Sequence, residues 1–231
     1  GGRAGGGEEH QCGGAPLDVS HAVDVHDLLR AAALCNDARL VPPARDSEPW
    51  SGLGDPTECA LLAVAGKAGL DKDDLDHRYP RVAEIPFDSA RQAMTTVHGL
   101  PGASGHVLVV SKGSVESLHR AHGGAAHAIV WHEALERAAE LSAQGFRVLA
   151  VAAGETADAG AWERAEQRLL GLVAMNDPAR PAARATLDTC RDAGIATVLI
   201  TGDHPETARS VAVSVGVVTA EEATASGTVV T

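Results

Sequence analysis

The spacing of apolar and polar residues predicts helices near both ends of the chain and strands between them. In residues 20–38 apolar side chains recur every three or four positions, which is typical of a helix with one buried face. Residues 81–87, 91–99 and 105–113 are short apolar-rich runs with Gly, Pro and Ser between them. Short connections of this composition predict an antiparallel meander of three strands.

A further helix is predicted to begin at Asp55-Pro56. Asp55 can accept hydrogen bonds from the first turn, Pro56 suits the first helical position, and Glu58 lies three residues after the cap. Residues 131–145 predict an amphipathic helix, and residues 146–154 another strand.

The pattern changes after about residue 170. An apolar run leads into a Pro-flanked segment at 176–181, and a helix (182–194), a strand (195–203) and a helix starting at Pro205 follow. Alternation of strand and helix predicts a parallel layer. We therefore expect a flexible Gly-rich segment at 1–19, a first domain at 20–175 and a second at 176–231.

Composition and charge narrow the classes of function. The net charge of −12 disfavours binding to nucleic acid or to an anionic membrane surface. The four cysteines, Cys12, Cys35, Cys59 and Cys190, form no CxxC pair, so we expect reduced thiols and no zinc site. No apolar run has the length of a membrane helix, and no signal peptide is visible, so we expect a soluble chain.

Histidines are concentrated in one segment, at positions 119, 122, 127 and 132. No acidic or cysteine ligands join them at a fixed spacing, so we interpret them as surface residues and predict no metal site.

Two strand ends carry residues suited to a ligand. Lys112 ends an apolar run just before Gly113, and an ammonium there either binds an anion or is simply solvated. Phe87, one of two phenylalanines, ends another strand, where it either stacks on a nucleobase or packs in the core.

Three further segments allow similar pairs of interpretations. Arg147 in an apolar strand either extends to water or contacts phosphate. Asp177 and Arg180 lie in a Pro-stiffened crossing between the two domains, where they either pair with each other or contact phosphate, or belong to a plain linker. A polar turn, Thr201-Gly202-Asp203, follows the run Thr197–Ile200, and α/β proteins bind ligands at the carboxyl ends of such strands.

Together these segments resemble the cytoplasmic segments of P-type cation-transporting ATPases, most closely the calcium-pump-like branch. The resemblance covers roughly residues 25–231 and keeps the order and approximate spacing of the motifs, which are CNDA, GDPTECALL, IPFDSARQAM, KGSVES, GFRVLAVA, GLVAMNDPARP and CRDAGIATVLITGDHPETARSVAVSVGV. It implies an α+β fold, in which a twisted antiparallel sheet flanked by helices is followed by a partial parallel layer like that of haloacid dehalogenases.

The resemblance also implies roles for individual residues. Phe87 would stack on adenine and Lys112, with Gly113, would line the ATP pocket. Glu58 would lie near the adenine amino group, Arg147 would reach the phosphates or ribose, and Leu149 and Met94 would form the wall and edge of the pocket. Thr201, Gly202 and Asp203 would position the γ-phosphate, and Asp177 and Arg180 would form the hinge.

The sequence departs from the family pattern at several points. Ser89 stands where the family often has Arg, with Arg91 two residues further on, and Val115 replaces the Pro of KGAPE. The motifs DKTGTLT, which carries the phosphorylated aspartate, and GDGVNDAP do not occur. We therefore expect a piece of a pump that binds ATP, accompanied by Mg²⁺, without turnover. Its partners would be the membrane helices, the actuator domain and the rest of the phosphorylation domain. It would lie on the cytoplasmic face of a membrane.

Two other classes of function remain open from the residues. One is a stand-alone haloacid-dehalogenase-type phosphohydrolase, which would need an aspartate nucleophile near the start of the chain, where only Asp18 is present. The other is a protein-interaction module without catalysis, for which ATP would not raise the melting temperature.

Overall fold

The computed structural model describes residues 11–12, 15–16, 23–43, 45, 50–124, 127–176, 182–200 and 205–224. The chain divides into two compact units. The first comprises residues 1–113 and 151–171, and the second residues 114–150 and 172–231.

Besides strands of the main sheet, the first unit contains two small hairpins and three helices. In chain order these elements are β1 Gln11–Cys12, β2 Ala15–Pro16, α1 Val23–Leu34, β3 Arg39–Val41, β4 Ser51–Leu53, α2 Pro56–Lys67 and α3 Lys72–Arg78. Strands β1 and β2 pair with each other, as do β3 and β4, and both pairs are antiparallel.

The main sheet has five strands in the order β5-β6-β7-β8-β9. Their bounds are β5 Arg81–Asp88, β6 Ala93–Gly99, β7 Val107–Gly113, β8 Arg147–Thr156 and β9 Arg168–Met175. The first three are antiparallel neighbours in sequence order, which confirms the predicted meander. The sheet is flanked by helices, so the α+β class expected from the sequence is confirmed for this part of the chain.

The two central strands β6 and β7 are buried along almost their whole length. On one side of them Val97, Val107 and Val109 form a core cluster against which Trp162 packs. Successive strand residues point to opposite faces, so Met94, Thr96 and Lys112 belong to the other face. Helix α1 contacts β7, and α2 and α3 contact α1, so these helices and this face build one half of the unit.

The second unit is mainly helical in its described part. Its helices are α4 Val115–His122, α5 Ala128–Ala143, α6 Ala183–Asp192, α7 Pro205–Val215 and α8 Ala220–Thr224, and α7 contacts α5, α6 and α8. Trp131 of α5 is fully buried, with its ring centroid 6.0 Å from that of His119 in α4.

The structure differs from the predicted parallel layer at one strand. Residues 195–200, the described part of the strand predicted at 195–203, have no regular secondary structure, and Val198 and Ile200 are 81% and 92% exposed. An apolar run becomes a buried strand only when neighbouring strands supply hydrogen bonds and cover both faces. The other apolar run, at 169–175, belongs to β9 of the five-stranded sheet.

Several elements were not predicted from the sequence: the β1–β2 and β3–β4 hairpins and helices α3, α4 and α8. Helix α3 follows its own Asp cap, since the Asp71 carboxylate accepts from the backbone N–H groups of Asp73 and Asp74. None of the helices in the described residues is both long and apolar enough to cross a bilayer.

Candidate functional site

Helix α2 begins as the sequence predicted. The Asp55 carboxylate accepts hydrogen bonds from the backbone N–H groups of Thr57 and Glu58, at 2.8 and 3.4 Å, and Pro56 occupies the first turn. These bonds satisfy N–H groups that have no partner within the helix. The cap therefore fixes the backbone from which the Glu58 side chain extends.

Glu58 forms a largely buried ion pair with Lys112 of β7. The distance from Lys112 Nζ to Glu58 Oε1 is 2.7 Å, and the side chains are 7% and 17% exposed. Removing two charges from water is costly, and close pairing compensates for this only when the geometry is good. The alternative of a simply solvated lysine is excluded in this conformation.

Strand register places three of the candidate residues in one row across the sheet. Met94 pairs with Lys112, so both lie on the same face of β6 and β7. Where β5 pairs with β6, Ile85 lies opposite Thr95 and Asp88 lies opposite Ala93. Two residues of β5, Pro86 and Phe87, therefore lie opposite the single residue Met94 of β6, which is a β-bulge. We call Phe87, Met94 and Lys112 the Lys112 row.

This β-bulge explains why Phe87 is exposed. The inward residues of β5 before it, including Ile85, are partly buried, whereas Phe87 is 64% exposed. A bulge bends the strand and redirects its side chains. Asp88 then stabilises the following turn by accepting from the N–H groups of Ala90 and Arg91. Packing of Phe87 in the core is therefore excluded, and its stacking on a nucleobase stays a prediction.

Gly113 and Met94 have clear structural roles in the sheet. A Cβ atom at Gly113 would lie 2.4 Å from the carbonyl oxygen of Gln92 and 2.8 Å from Ala93, so the close approach of β6 requires glycine there. Met94 is 2% exposed. Contacts of either residue with a ligand stay predictions.

The CNDA segment at 35–38 lies directly against Glu58. The backbone N–H of Asp37 donates to Glu58 Oε2 at 3.0 Å, and the Asn36 side-chain amide donates to the Glu58 carbonyl oxygen at 2.9 Å. Thus one carboxylate oxygen of Glu58 bonds Asp37 and the other bonds Lys112. No role of this motif was predicted from the sequence, although an Asn directly after a helix often bonds nearby backbone groups through its side chain.

Cys35 lies at the same place, with its thiol directed to the carbonyl oxygen of Met94 at 3.7 Å. Burial raises the pKa of the Cys35 thiol, and the nearby Lys112 charge opposes that shift. The thiol is therefore protonated and unreactive at neutral pH.

Arg81, at the start of β5, makes four hydrogen bonds that the sequence analysis missed. Its guanidinium donates to Asp37 Oδ1 at 2.6 Å and Glu84 Oε2 at 2.7 Å, and to the carbonyl oxygens of Leu34 and Asn36 at 3.3 and 2.9 Å. Burial acts to lower the pKa of Arg81, but the hydrogen bonds to the two carboxylates outweigh it and leave the pKa raised.

The other candidate residues fall in the second unit or outside the described residues. Arg147 and Leu149 belong to the second unit, at the start of β8, where Arg147 is exposed and Leu149 is partly buried. Five candidates lie outside the described residues, namely Asp177, Arg180, Thr201, Gly202 and Asp203. Among the described residues no group of three or more His, Cys, Asp or Glu side chains is arranged to hold a metal ion.

The arrangement has two chemical capabilities. An exposed aromatic ring offers a flat apolar surface for another ring. In the same row, the Lys112 ammonium is held by Glu58 and has three N–H donors, of which the Glu58 carboxylate takes one. Together they suit a ligand that combines a heteroaromatic ring with polar acceptor groups.

Comparison with known proteins gives a consistent result. Residues 24–182 match the family model described as P-type ATPase, cytoplasmic domain N. A probable cation-transporting ATPase F of Mycobacterium bovis is 39% identical over 94% of the chain, and a calcium-transporting ATPase of Bacillus subtilis is 36% identical over 85%. The cation-transporting ATPase pma1 of Synechocystis is 38% identical over 84% of the chain. The chain spans about a quarter of the length of these relatives, namely 24%, 23% and 22%.

Proposed function

Since the chain belongs to the P-type cation-transporting ATPase family, we propose that it is the ATP-binding part of a pump that couples ATP hydrolysis to cation transport across a membrane. In this proposal residues 20–175 form the nucleotide-binding domain, on the cytoplasmic side of the membrane. Residues 176–231 form part of a haloacid-dehalogenase-like phosphorylation domain. The partners are ATP and the rest of the pump: its membrane helices, its actuator domain and the remainder of the phosphorylation domain.

The observation that carries the proposal is the Lys112 row. Phe87 is a large aromatic side chain exposed to solvent in a chain with only 3% aromatic residues, and it shares its row with a buried lysine. Stacking of a base on an aromatic ring contributes about 1–3 kcal/mol. We assign Phe87 to the adenine ring, Lys112 with Gly113 to the pocket lining, Glu58 to the region of the adenine amino group and Met94 to the pocket edge.

The other assigned residues rest on the family resemblance. Arg147 would contact the phosphates or ribose, and Leu149 would form an apolar wall. Thr201, Gly202 and Asp203 would position the γ-phosphate, and the hinge would include Asp177 and Arg180.

In this proposal Mg²⁺ binds together with ATP and would neutralise part of the charge of the phosphates. The chain's own part is to bind the nucleotide. The motif DKTGTLT does not occur in its 231 residues, and phosphoryl transfer needs a nucleophile in line with the γ-phosphate. We therefore propose that the chain by itself binds ATP without turnover. Incubation with radiolabelled ATP and Mg²⁺ should leave no acid-stable, hydroxylamine-labile label, and such a label would contradict this part of the proposal.

The direct test is thermal unfolding of the chain with and without ATP. A ligand at 100 times its dissociation constant stabilises the folded state by about 2.7 kcal/mol, which raises the Tm of a chain of this size by about 5 °C or more. We expect that shift with ATP, and a smaller one as salt is added, because phosphate binding is partly electrostatic. An unchanged Tm at millimolar ATP would contradict the proposal and favour a protein-interaction module.

A further inference from the structure

Arg81 connects three parts of the first unit. It stands at the start of β5, the strand that carries Phe87 near its other end, and its two terminal nitrogens bond the end of α1 and the segment that follows. Its acceptors there are the carbonyl oxygens of Leu34 and Asn36 and the carboxylate of Asp37. A planar fork of N–H donors suits such a set of acceptors, whereas a single ammonium does not.

The segment that Arg81 holds is the one that holds Glu58. Asn36 is 1% exposed and donates its side-chain amide to the Glu58 carbonyl oxygen, while its side-chain oxygen accepts from the backbone N–H of Ala38. The N–H of Asp37 bonds one carboxylate oxygen of Glu58, and Lys112 bonds the other. A continuous series of hydrogen bonds therefore leads from Arg81 through residues 36–37 and Glu58 to the Lys112 ammonium.

Arg81 and Lys112 themselves are far apart in the sheet. Arg81 pairs with His98, which pairs with Leu108, four residues before Lys112 on β7. Four strand residues span about 13 Å. Substitutions at that distance that share no partner add in their effects on free energy. A departure from additivity between these two positions is therefore the result expected if the hydrogen bonds connect them.

We propose that Arg81 is a positioning residue for the nucleotide site: by fixing residues 36–37 it holds the Glu58 carboxylate in place, and this sets the direction in which the Lys112 ammonium is offered to the ligand. The inference rests on the proposed ATP-binding function. It differs from a purely structural role, in which Arg81 would stabilise the fold without influencing Lys112.

The test is a double-mutant cycle on ATP affinity, measured by isothermal titration calorimetry on the 231-residue chain. The variants are Arg81→Met, Lys112→Met and the pair, and circular dichroism checks the folding of each. Arg81→Lys repeats the cycle with a milder change that keeps the charge, so the test still holds if Arg81→Met does not fold. The control is Arg137→Met, at an exposed arginine whose described ion pair is with Glu140 in α5.

We expect Arg81→Met to weaken ATP binding about tenfold, as loss of a charge-assisted hydrogen bond does, and the control to leave it unchanged. In the Lys112→Met background the same substitution should change affinity less than about twofold, because the group it positions is gone. The inference would be overturned if Arg81→Met weakened binding equally with Lys112 present and with Lys112→Met. It would also be overturned if either single substitution left the affinity for ATP unchanged. Neither result would contradict ATP binding by the chain. Absence of ATP binding by the unsubstituted chain would overturn both proposals.

Discussion

Replacing Phe87 by alanine separates binding from folding, because this ring is exposed. Truncating a fully buried Phe costs about 3–5 kcal/mol of stability. Phe87 is 64% exposed, so about a third of that cost, roughly 1 kcal/mol, is expected here. The loss of ATP affinity should be at least as large: removing a stacking aromatic costs about 1–3 kcal/mol, which corresponds to a fivefold to 150-fold higher Kd.

The assay is calorimetric titration with ATP at constant salt, together with urea unfolding of each variant. Val82→Ala is a matched control, since Val82 lies on the same strand, is 59% exposed and has no assigned role in binding. Its Kd should equal that of the unsubstituted chain. An unchanged Kd in Phe87→Ala would refute the stacking assignment. Global unfolding of that variant would refute the reasoning from exposure.

Two further predictions concern stability. Gly113→Ala should destabilise the fold by about 1–3 kcal/mol, because its Cβ would overlap the backbone of Gln92 and Ala93; Gly66→Ala in α2, whose Cβ meets no atom within 4 Å, should stabilise it by up to about 1 kcal/mol. Urea unfolding measures both, and equal effects would contradict this interpretation. Burial lowers the pKa of His98 to about 4, from the value of 6.5 that is usual for histidine. Between pH 4 and pH 6.5 the unfolded chain therefore binds a proton at His98 more readily than the folded chain does. The free energy of unfolding should fall by about 2 kcal/mol between pH 7 and pH 5 for this reason. His98→Gln should reduce that pH dependence, and an identical dependence in the variant would rule out His98 as its source.

Local signals in the sequence predicted much of the first unit. The cap at Asp55 depends only on residues within one turn, and the structure shows its hydrogen bonds as expected. The meander of β5, β6 and β7 followed from short connections between apolar runs. The places of Phe87 and Lys112 at strand ends followed from the same pattern, and the structure puts them in one row.

What the sequence could not predict depends on contacts between distant positions. Arg81 bonds Asn36 across 45 residues of chain, and no local pattern indicates such a pair. The bulge at Pro86 and Phe87 is likewise a property of two paired strands rather than of one. Residues 195–200 have the apolar composition of a buried strand, but a strand also needs neighbours, and a pattern within one segment does not supply them.

The most direct test of the central claim is amide hydrogen exchange of the chain with and without saturating ATP. If the nucleotide binds at the Lys112 row, exchange should slow in peptides covering residues 86–94 and 111–114, where the ligand and its hydrogen bonds restrict opening of the strand ends. The exposed β3–β4 hairpin, with its strands at 39–41 and 51–53, should be unaffected. ATP-dependent slowing elsewhere in the chain, with none at the two strand ends, would contradict the account.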